Sequence, residues 1–456
     1  PEIRLVHSVT YDGGPTDVLA GLGVRVDVPL REAPENRHVR IAGPIDATTG
    51  RPGFLTEAVR GITGLRRDTG RENRTAQLDG QPVGPIPQPA DRWLHWVPTW
   101  DAWRQEQHSP DGFTLAKNSG SGYGWVTIPG GGRAAGFAYL GDTCGGLGIG
   151  MKDYWQSYPT RLDITGATTD EGALTCWLWS PSAPPMDVRP VHDGVGTQGW
   201  ADEVEAMEIT YEDYEPGFGD PYGVSRTHEL TVVAYAATPA GDLLAEHAAH
   251  VAAPAVVAAT PDHLHAMRVF GDWALPDRST PERAVIEDRL DAITDFYLGQ
   301  REDRRWYGFW DFGDVMHTYD PDRHQWRYDV GGYAWDNSEL SPDLALWYQF
   351  LRTGSPDTFR LAWDMTRHTG EVDVHHIGRF AKLGSRHNVR HWGCSAKQVR
   401  ISSAAYRRIP YYLTADERLG DLLAELTDAE LTFANLDPNR KVRRDGYVRD
   451  TDVVSI

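Results

Sequence analysis

TPERAVIEDRLDAITDFYL (Thr280–Leu298) divides this chain into two textures of sequence. Thr280 is a residue type that caps helix starts, Pro281 suits the first helical position, and Glu282 puts a negative charge at the positive end of the helix dipole. Val285, Leu290, Ile293 and Phe296 then recur at helical spacing, so a helix is expected to run to about Leu298. More helices are expected after it: roughly 340–353, closed by Gly354; 357–369, between Asp357 and Gly370; Ser395 to Leu413; and Glu417 to Ala434. Before it, the pattern is different. Ile3, Leu5 and Val6 precede the turn Asp12-Gly13-Gly14-Pro15, and Val24, Val26 and Val28 alternate after it. Short strands are expected at 38–42, 123–128, 135–140, 147–151, 173–179, 205–211 and 228–236, separated by Gly-rich turns such as Gly130-Gly131-Gly132. Many short strands with punctuated turns predict an antiparallel β-sandwich rather than parallel βαβ units. The fold class is therefore a multidomain α+β protein, with a β-sandwich over residues 1–272 and an all-α array over residues 273–456.

The bulk numbers fit large folded domains. The chain has 456 residues, 40% of them hydrophobic, and its 17 Trp suit both cores and sugar-stacking faces. No apolar run approaches the roughly 20 residues of a membrane span. The opening Pro1-Glu2-Ile3-Arg4 is not a signal peptide, and its strand-like pattern suggests a preceding portion. Cys144, Cys176 and Cys394 are scattered, which excludes a disulfide framework or a Cys-based zinc site and leaves at most one bridge.

Charge is distributed unevenly. Asp and Glu number 65 against 45 Lys and Arg, yet Val374–Ala415 contains no acid at all. It holds Arg379, Lys382, Arg386, Arg390, Lys397, Arg400, Arg407 and Arg408, together with His375, His376, His387 and His391. A basic island in an acidic chain predicts a small anionic ligand met locally, not a nucleic acid gripped along a face. The plainer expectation is a seam in which these Arg pair with carboxylates elsewhere. Two stretches between helices, Trp306–Asn337 and Glu371–Cys394, are longer than the roughly 12–15 residues of ordinary connections and are expected to be walls of one site. Trp93, Trp96, Trp100 and Trp103 recur every three or four residues, as core packing or as an aromatic loop. The acidic, aromatic stretch YEDYEPGFGD (Tyr211–Asp220) could hold calcium but lacks the register of a known calcium loop and reads as structural.

The stretches YGFWDFGDVMHTYD, WRYDVGGYAWDNSEL, RHTGEVDVHH and SRHNVRHWGCSAKQ resemble the signature of the exo-acting rhamnogalacturonan lyase family. HSVTYDGGPTDVLAGLGVRVDVPL and EITYEDYEPGFGDPYG resemble its β-domain segments, so the likeness covers almost the whole chain. The resemblance implies a central β-sandwich followed by an α/α toroid, without the family's first small barrel and with fewer helices than a full toroid. It also implies β-elimination of a rhamnose–galacturonate linkage from a chain end, in a secreted or periplasmic setting and with an anionic oligo- or polysaccharide as the partner.

Such an elimination needs a cation or donor to neutralise the uronate, a base for the adjacent carbon acid, and an acid for the leaving oxygen. Arg386, Asn388 and Arg390 are the candidate neutralisers. His387 and His391 are candidate bases, in a cationic surround that would tend to lower their pKa. Tyr333 is the candidate acid, with Tyr328 and Tyr406 behind it. Arg327, Tyr328, Trp335, Trp392, Arg400 and His376 complete the expected substrate-binding set. His387 and His391 at i and i+4 lack a third ligand in sequence, so no metal site is expected, and a structural calcium ion is the one inorganic partner left open. Two other classes compete. A glycoside hydrolase would need two carboxylates across a cleft, from Asp311, Asp314, Asp336 and Glu339. A carbohydrate-binding protein would use the Trp alone.

Overall fold

The computed structural model describes residues 1–14, 16–189, 217–326, 335–386 and 388–436. The described residues form two compact units: Pro1–His7, Leu19–Met186 and His228–Ala255 in the first, and Ser8–Val18, Asp187–Thr227 and Val256–Ile456 in the second. The 272/273 boundary expected from sequence falls inside the second unit, after a short helix, Pro261–Met267. Leu264 of that helix packs into a core with Phe270, Trp347, Phe350 and Phe359.

An antiparallel β-sandwich makes up the first unit, as the alternating texture predicts. One sheet runs, edge to edge, Glu2–Thr10, Ser225–Tyr235, Gly145–Met151, Phe137–Asp142, Arg37–Ile45 and Pro52–Ala58. The other runs Leu22–Pro29, Glu171–Trp179, Thr160–Thr165, Ala102–Ser109, Gly112–Asn118 and Val126–Gly131. The carboxylate of Asp142 ties the two sheets together: Oδ2 accepts from the backbone N–H groups of Arg31 (2.7 Å) and Glu32 (3.1 Å). Sequence reading did not anticipate the strands at 52–58, 102–109, 112–118 and 160–165. In Ala102–Ser109 the reason is visible. Gln105 and Gln107 are buried but donate to the carbonyls of Ala42 (2.7 Å), Ser109 (2.7 Å) and Gly132 (2.8 Å), so polar letters occupy inward positions. The expected strand at 205–211 lies outside the described residues.

The sandwich also carries a helix: Gly241–Ala252 packs Leu244, Ala248 and Val251 against Phe137 and Tyr139 of the first sheet. The Trp series is divided between two surroundings. Trp93 and Trp96 sit in a short 3-10 turn with Trp96 70% exposed, whereas Trp103 is a strand residue, buried with its Nε1 on Glu57 (2.9 Å). All three cysteines are free thiols.

In the second unit, helix Pro281–Arg304 begins as predicted, with Thr280 accepting from the Arg283 N–H. Three of its apolar residues, Val285, Ile293 and Phe296, stay exposed, while Tyr297 packs on a core that contains Trp306 and Trp326. Polar contacts also hold the helix. Gln349 donates to Asp291 (2.9 Å), Arg301 donates to Asp364 (3.0 Å), and Arg352 pairs with Glu287. Helices Pro342–Thr353 and Pro356–Glu371 form a hairpin through Gly354, at φ 68°, and a Ser355 cap. The second helix runs through Gly370 rather than ending there. The expected helix from Ser395 is helical only over Ala405–Thr414, and the one from Glu417 breaks into Glu417–Glu425 and Ala429–Ala434. Among the described residues no helix is long and apolar enough to cross a membrane.

Candidate functional site

The two long connections meet. The Trp335 N–H donates to the Asn388 carbonyl (3.2 Å), and the Asn337 side chain donates to the Ser385 carbonyl (2.8 Å). Between them, in the wall built from YGFWDFGDV, Gly313 takes φ 108° so that Asp314 can turn inward. A Cβ there would meet the Asp364 carbonyl oxygen at 2.3 Å, so only glycine fits.

At the junction four buried side chains converge: Asp314, His368, Asp373 and His391. His368 comes from the last turns of helix Pro356–Glu371, Asp373 lies just beyond its end, and Asp314 and His391 come from the two connections. His391 Nδ1 lies 3.2 Å from His368 Nε2, 3.3 Å from Asp314 Oδ2 and 3.6 Å from Asp373 Oδ1. His368 Nε2 lies 3.5 Å from Asp314 Oδ2 and 3.4 Å from Asp373 Oδ1. Each ring is also held from behind. His391 Nε2 faces Asp311 Oδ1 at 3.0 Å, and His368 Nδ1 faces the Phe312 carbonyl at 3.3 Å. The Val315 N–H donates to Asp314 Oδ1 (2.8 Å).

Electrostatics in this cluster oppose the sequence expectation for His391. Burial alone would lower its pKa, but the Asp311 and Asp314 carboxylates, with Asp373, outweigh that and raise it to about 9. The surround is anionic, so the imidazole carries a proton at neutral pH and is not a ready base. His368 moves the other way, to about 3, through burial and the neighbouring His391 charge. Burial raises Asp373 to about 7.

Most of the other predicted site residues are already engaged within the protein. Arg386 donates through Nε to both oxygens of Glu339 (3.1 and 3.2 Å), and Arg400 reaches the same carboxylate at 2.5 Å. The island is therefore partly the seam of paired Arg that the plainer reading foresaw. Asn388 is buried, with its Oδ1 on the Val389 N–H (2.5 Å). Arg390 is part-exposed, and its charge helps hold the Asp187 carboxyl low, after the hydrogen bonds from Arg189. The Trp335 ring packs on His391, centroids 5.1 Å apart. Trp392 is 1% exposed, with its Nε1 on the Val188 carbonyl (3.1 Å) and its ring edge-on to Trp310, so it seals the loops rather than offering a face to a sugar. His376 is held by Glu425 (2.5 Å) and the Glu371 carbonyl (3.0 Å), and the Tyr406 hydroxyl accepts from Ser341 (3.0 Å). His387, Tyr333, Arg327 and Tyr328 lie outside the described residues, as do residues 211–216 of the acidic stretch Tyr211–Asp220.

Sequence reasoning quotes His368 and Asp373 within RHTGEVDVHH but gives neither a role, taking His368 as part of an ordinary helix. The available signal was a His and an Asp five residues apart across a helix end, beside a connection already marked by its length.

Comparison with known proteins is consistent with this architecture. A family model described as the PcRGLX-like protein central beta sandwich domain matches residues 1–249, and one described as the PcRGLX-like protein C-terminal alpha/alpha toroid domain matches residues 254–456. The chain is similar to the uncharacterized protein YetA of Bacillus subtilis (strain 168), at 39% identity over 443 residues. That alignment covers 96% of this chain and 50% of YetA, so the chain spans about half the length of this curated relative.

Proposed function

The chain belongs to the PcRGLX-like family, and from that premise we propose that it cleaves a uronate-containing glycan of the rhamnogalacturonan type by β-elimination at a chain end. The observation that carries this reading is the family match over both domains. The proposed substrate is a pectin-type polymer, met in a secreted or periplasmic setting.

In this reading Arg386 and Arg390 neutralise the uronate, which makes the adjacent C–H acidic enough to lose its proton. The anchoring of Arg386 on Glu339 orients its guanidinium. The Asn388 carbonyl, accepting from the Trp335 N–H, joins the two connections. His387 takes the proton and Tyr333 protonates the departing oxygen, roles assigned by their chemistry and position in the motifs. His391, buried against Asp311 and Trp335, is not itself the base.

Burial argues against the hydrolase alternative. A hydrolase needs two carboxylates open to the cleft. The side chains of Asp314, Asp336 and Glu339 are 0%, 7% and 7% exposed, and Asp311 stands apart at 45%. Glu339 is moreover engaged by two Arg.

The test is product mass from rhamnogalacturonan backbone oligosaccharides. Elimination gives two fragments whose masses sum to the substrate. A summed gain of one water would identify a hydrolase, and intact substrate retained on the protein would identify a binding module.

A further inference from the structure

We propose that Asp314, His368, Asp373 and His391 form a binding site for one divalent transition-metal ion of zinc's size, which fastens the two long connections to the end of helix Pro356–Glu371. This does not rest on the lyase reading, and it departs from the sequence expectation of no metal.

The first argument is the direction of the lone pairs. A neutral imidazole has one N–H and one bare nitrogen. Asp311 and the Phe312 carbonyl are acceptors, so they draw the N–H to His391 Nε2 and His368 Nδ1. The bare nitrogens are then His391 Nδ1 and His368 Nε2, which face one another at 3.2 Å. This outer layer of acceptors behind each ring is the arrangement that orients metal-binding histidines. Asp314 follows the same pattern: the Val315 N–H holds Oδ1 and leaves Oδ2 turned inward.

Second, the oxygens at the centre lack hydrogen-bond partners among the described residues. Asp314 Oδ2 and both oxygens of Asp373 accept no well-formed hydrogen bond, although both side chains are fully buried. Buried carboxylates left in this state are costly. A proton on His391 Nδ1 can point at only one of its three neighbours. A cation at the centre takes that proton's place and engages all four atoms.

Third, the spacing fits. Zinc binds imidazole nitrogen and carboxylate oxygen at roughly 2.0–2.2 Å, which makes the edge of a ligand tetrahedron about 3.3–3.6 Å. Five edges measure 3.2, 3.3, 3.4, 3.5 and 3.6 Å, and all four atoms lie within 4.8 Å of one another. Calcium takes six to eight oxygens, so a donor set half composed of imidazole excludes at this site the calcium ion that the sequence left open. Four buried protein ligands are the pattern of a closed, structural site.

The test uses the full chain, stripped with chelator and titrated with Zn2+ by calorimetry and with Co2+ by visible absorption. The proposal expects one ion per chain and the intense d–d bands of a tetrahedral cobalt site. It also expects Zn2+ affinity to fall by about 100-fold or more in Asp373→Asn and His368→Gln, and by about 10- to 100-fold in Asp311→Asn, which removes only support behind His391. Should stripping unfold the chain, recovery on adding Zn2+ but not Mg2+ supports the site. The proposal is overturned if the stripped chain neither takes up Zn2+ or Co2+ nor refolds with them, or if Asp373→Asn and His368→Gln bind Zn2+ as tightly as the parent.

Discussion

His368 Nε2 lies 3.2 Å from His391 Nδ1, although 23 residues separate them in the chain. One ring comes from helix Pro356–Glu371 and the other from a connection, so the contact fastens one to the other. His368 is fully buried among Asp314, Asp373 and His391. Replacing it with Leu leaves buried carboxylates facing an apolar side chain. We predict a loss of about 3–5 kcal/mol for His368→Leu in urea unfolding followed by Trp fluorescence. A loss below about 1 kcal/mol would mean that the cluster is not structural.

Gly313 offers a backbone test of the same junction. Its φ is 108°, and the Asp364 carbonyl oxygen lies 2.3 Å from where an alanine Cβ would sit, so alanine is both strained and in collision with main chain. Gly313→Ala is expected to cost roughly 3 kcal/mol or more, with a falling unfolding midpoint as the readout. Gly299→Ala, where a Cβ meets nothing within 4 Å, is the control and should be neutral or stabilising.

Glu339 holds Arg386 and Arg400 together with 7% of its own side chain exposed. Glu339→Gln removes the charge and leaves two cations side by side. Because Arg386 and Arg400 keep 25% and 46% exposure, solvent screens part of the penalty. The expected cost is about 1–3 kcal/mol by denaturant titration, together with a higher KM as Arg386 loses its orientation.

The sandwich contains a pH-dependent element of its own. Burial, then the Arg40 charge, lowers His38 to about 4, while its ring nitrogens face Thr238 Oγ1 (3.0 Å) and the Gln77 carbonyl (3.2 Å). The folded chain keeps His38 neutral where the unfolded chain begins to protonate it below about 6.5. Stability from this residue is therefore intact above pH 6.5 and declines between pH 6.5 and 4, by about 1.4 kcal/mol per pH unit. His38→Gln should flatten the stability–pH curve across that window relative to the parent. An unchanged slope would contradict the assignment.

Much of the fold is legible in the sequence because its signals are local. Thr280 and Pro281 start a helix, Gly354 ends one, and both act through atoms a few residues away. Helix Gly241–Ala252 escaped notice because Ala240 makes no side-chain cap, although the Ala in the stretch favours helix. The segment after Ser395 misled for the opposite reason. Its letters suit a helix, but Lys397 is drawn inward to Ser385 Oγ and the Trp392 carbonyl, both at 2.7 Å. The Asp314–His368–Asp373–His391 cluster was the least legible part, since its members come from three places in the chain and meet only through tertiary folding.

The kinetic roles separate cleanly by variant. His387→Ala should lower kcat by about 100- to 10,000-fold with KM little changed, as loss of a general base does. Arg386→Ala should raise KM as well as lower kcat, because a carboxylate clamp acts in both the ground and transition states. If His387→Ala turns over normally on an oligouronide, the base lies elsewhere.

Ultraviolet absorbance distinguishes elimination from every other outcome at the glycosidic bond. The parent chain incubated with a rhamnogalacturonan backbone should show steadily rising absorbance from the new C4–C5 double bond, in step with the appearance of reducing ends. Reducing ends appearing without that absorbance would contradict elimination and identify hydrolysis.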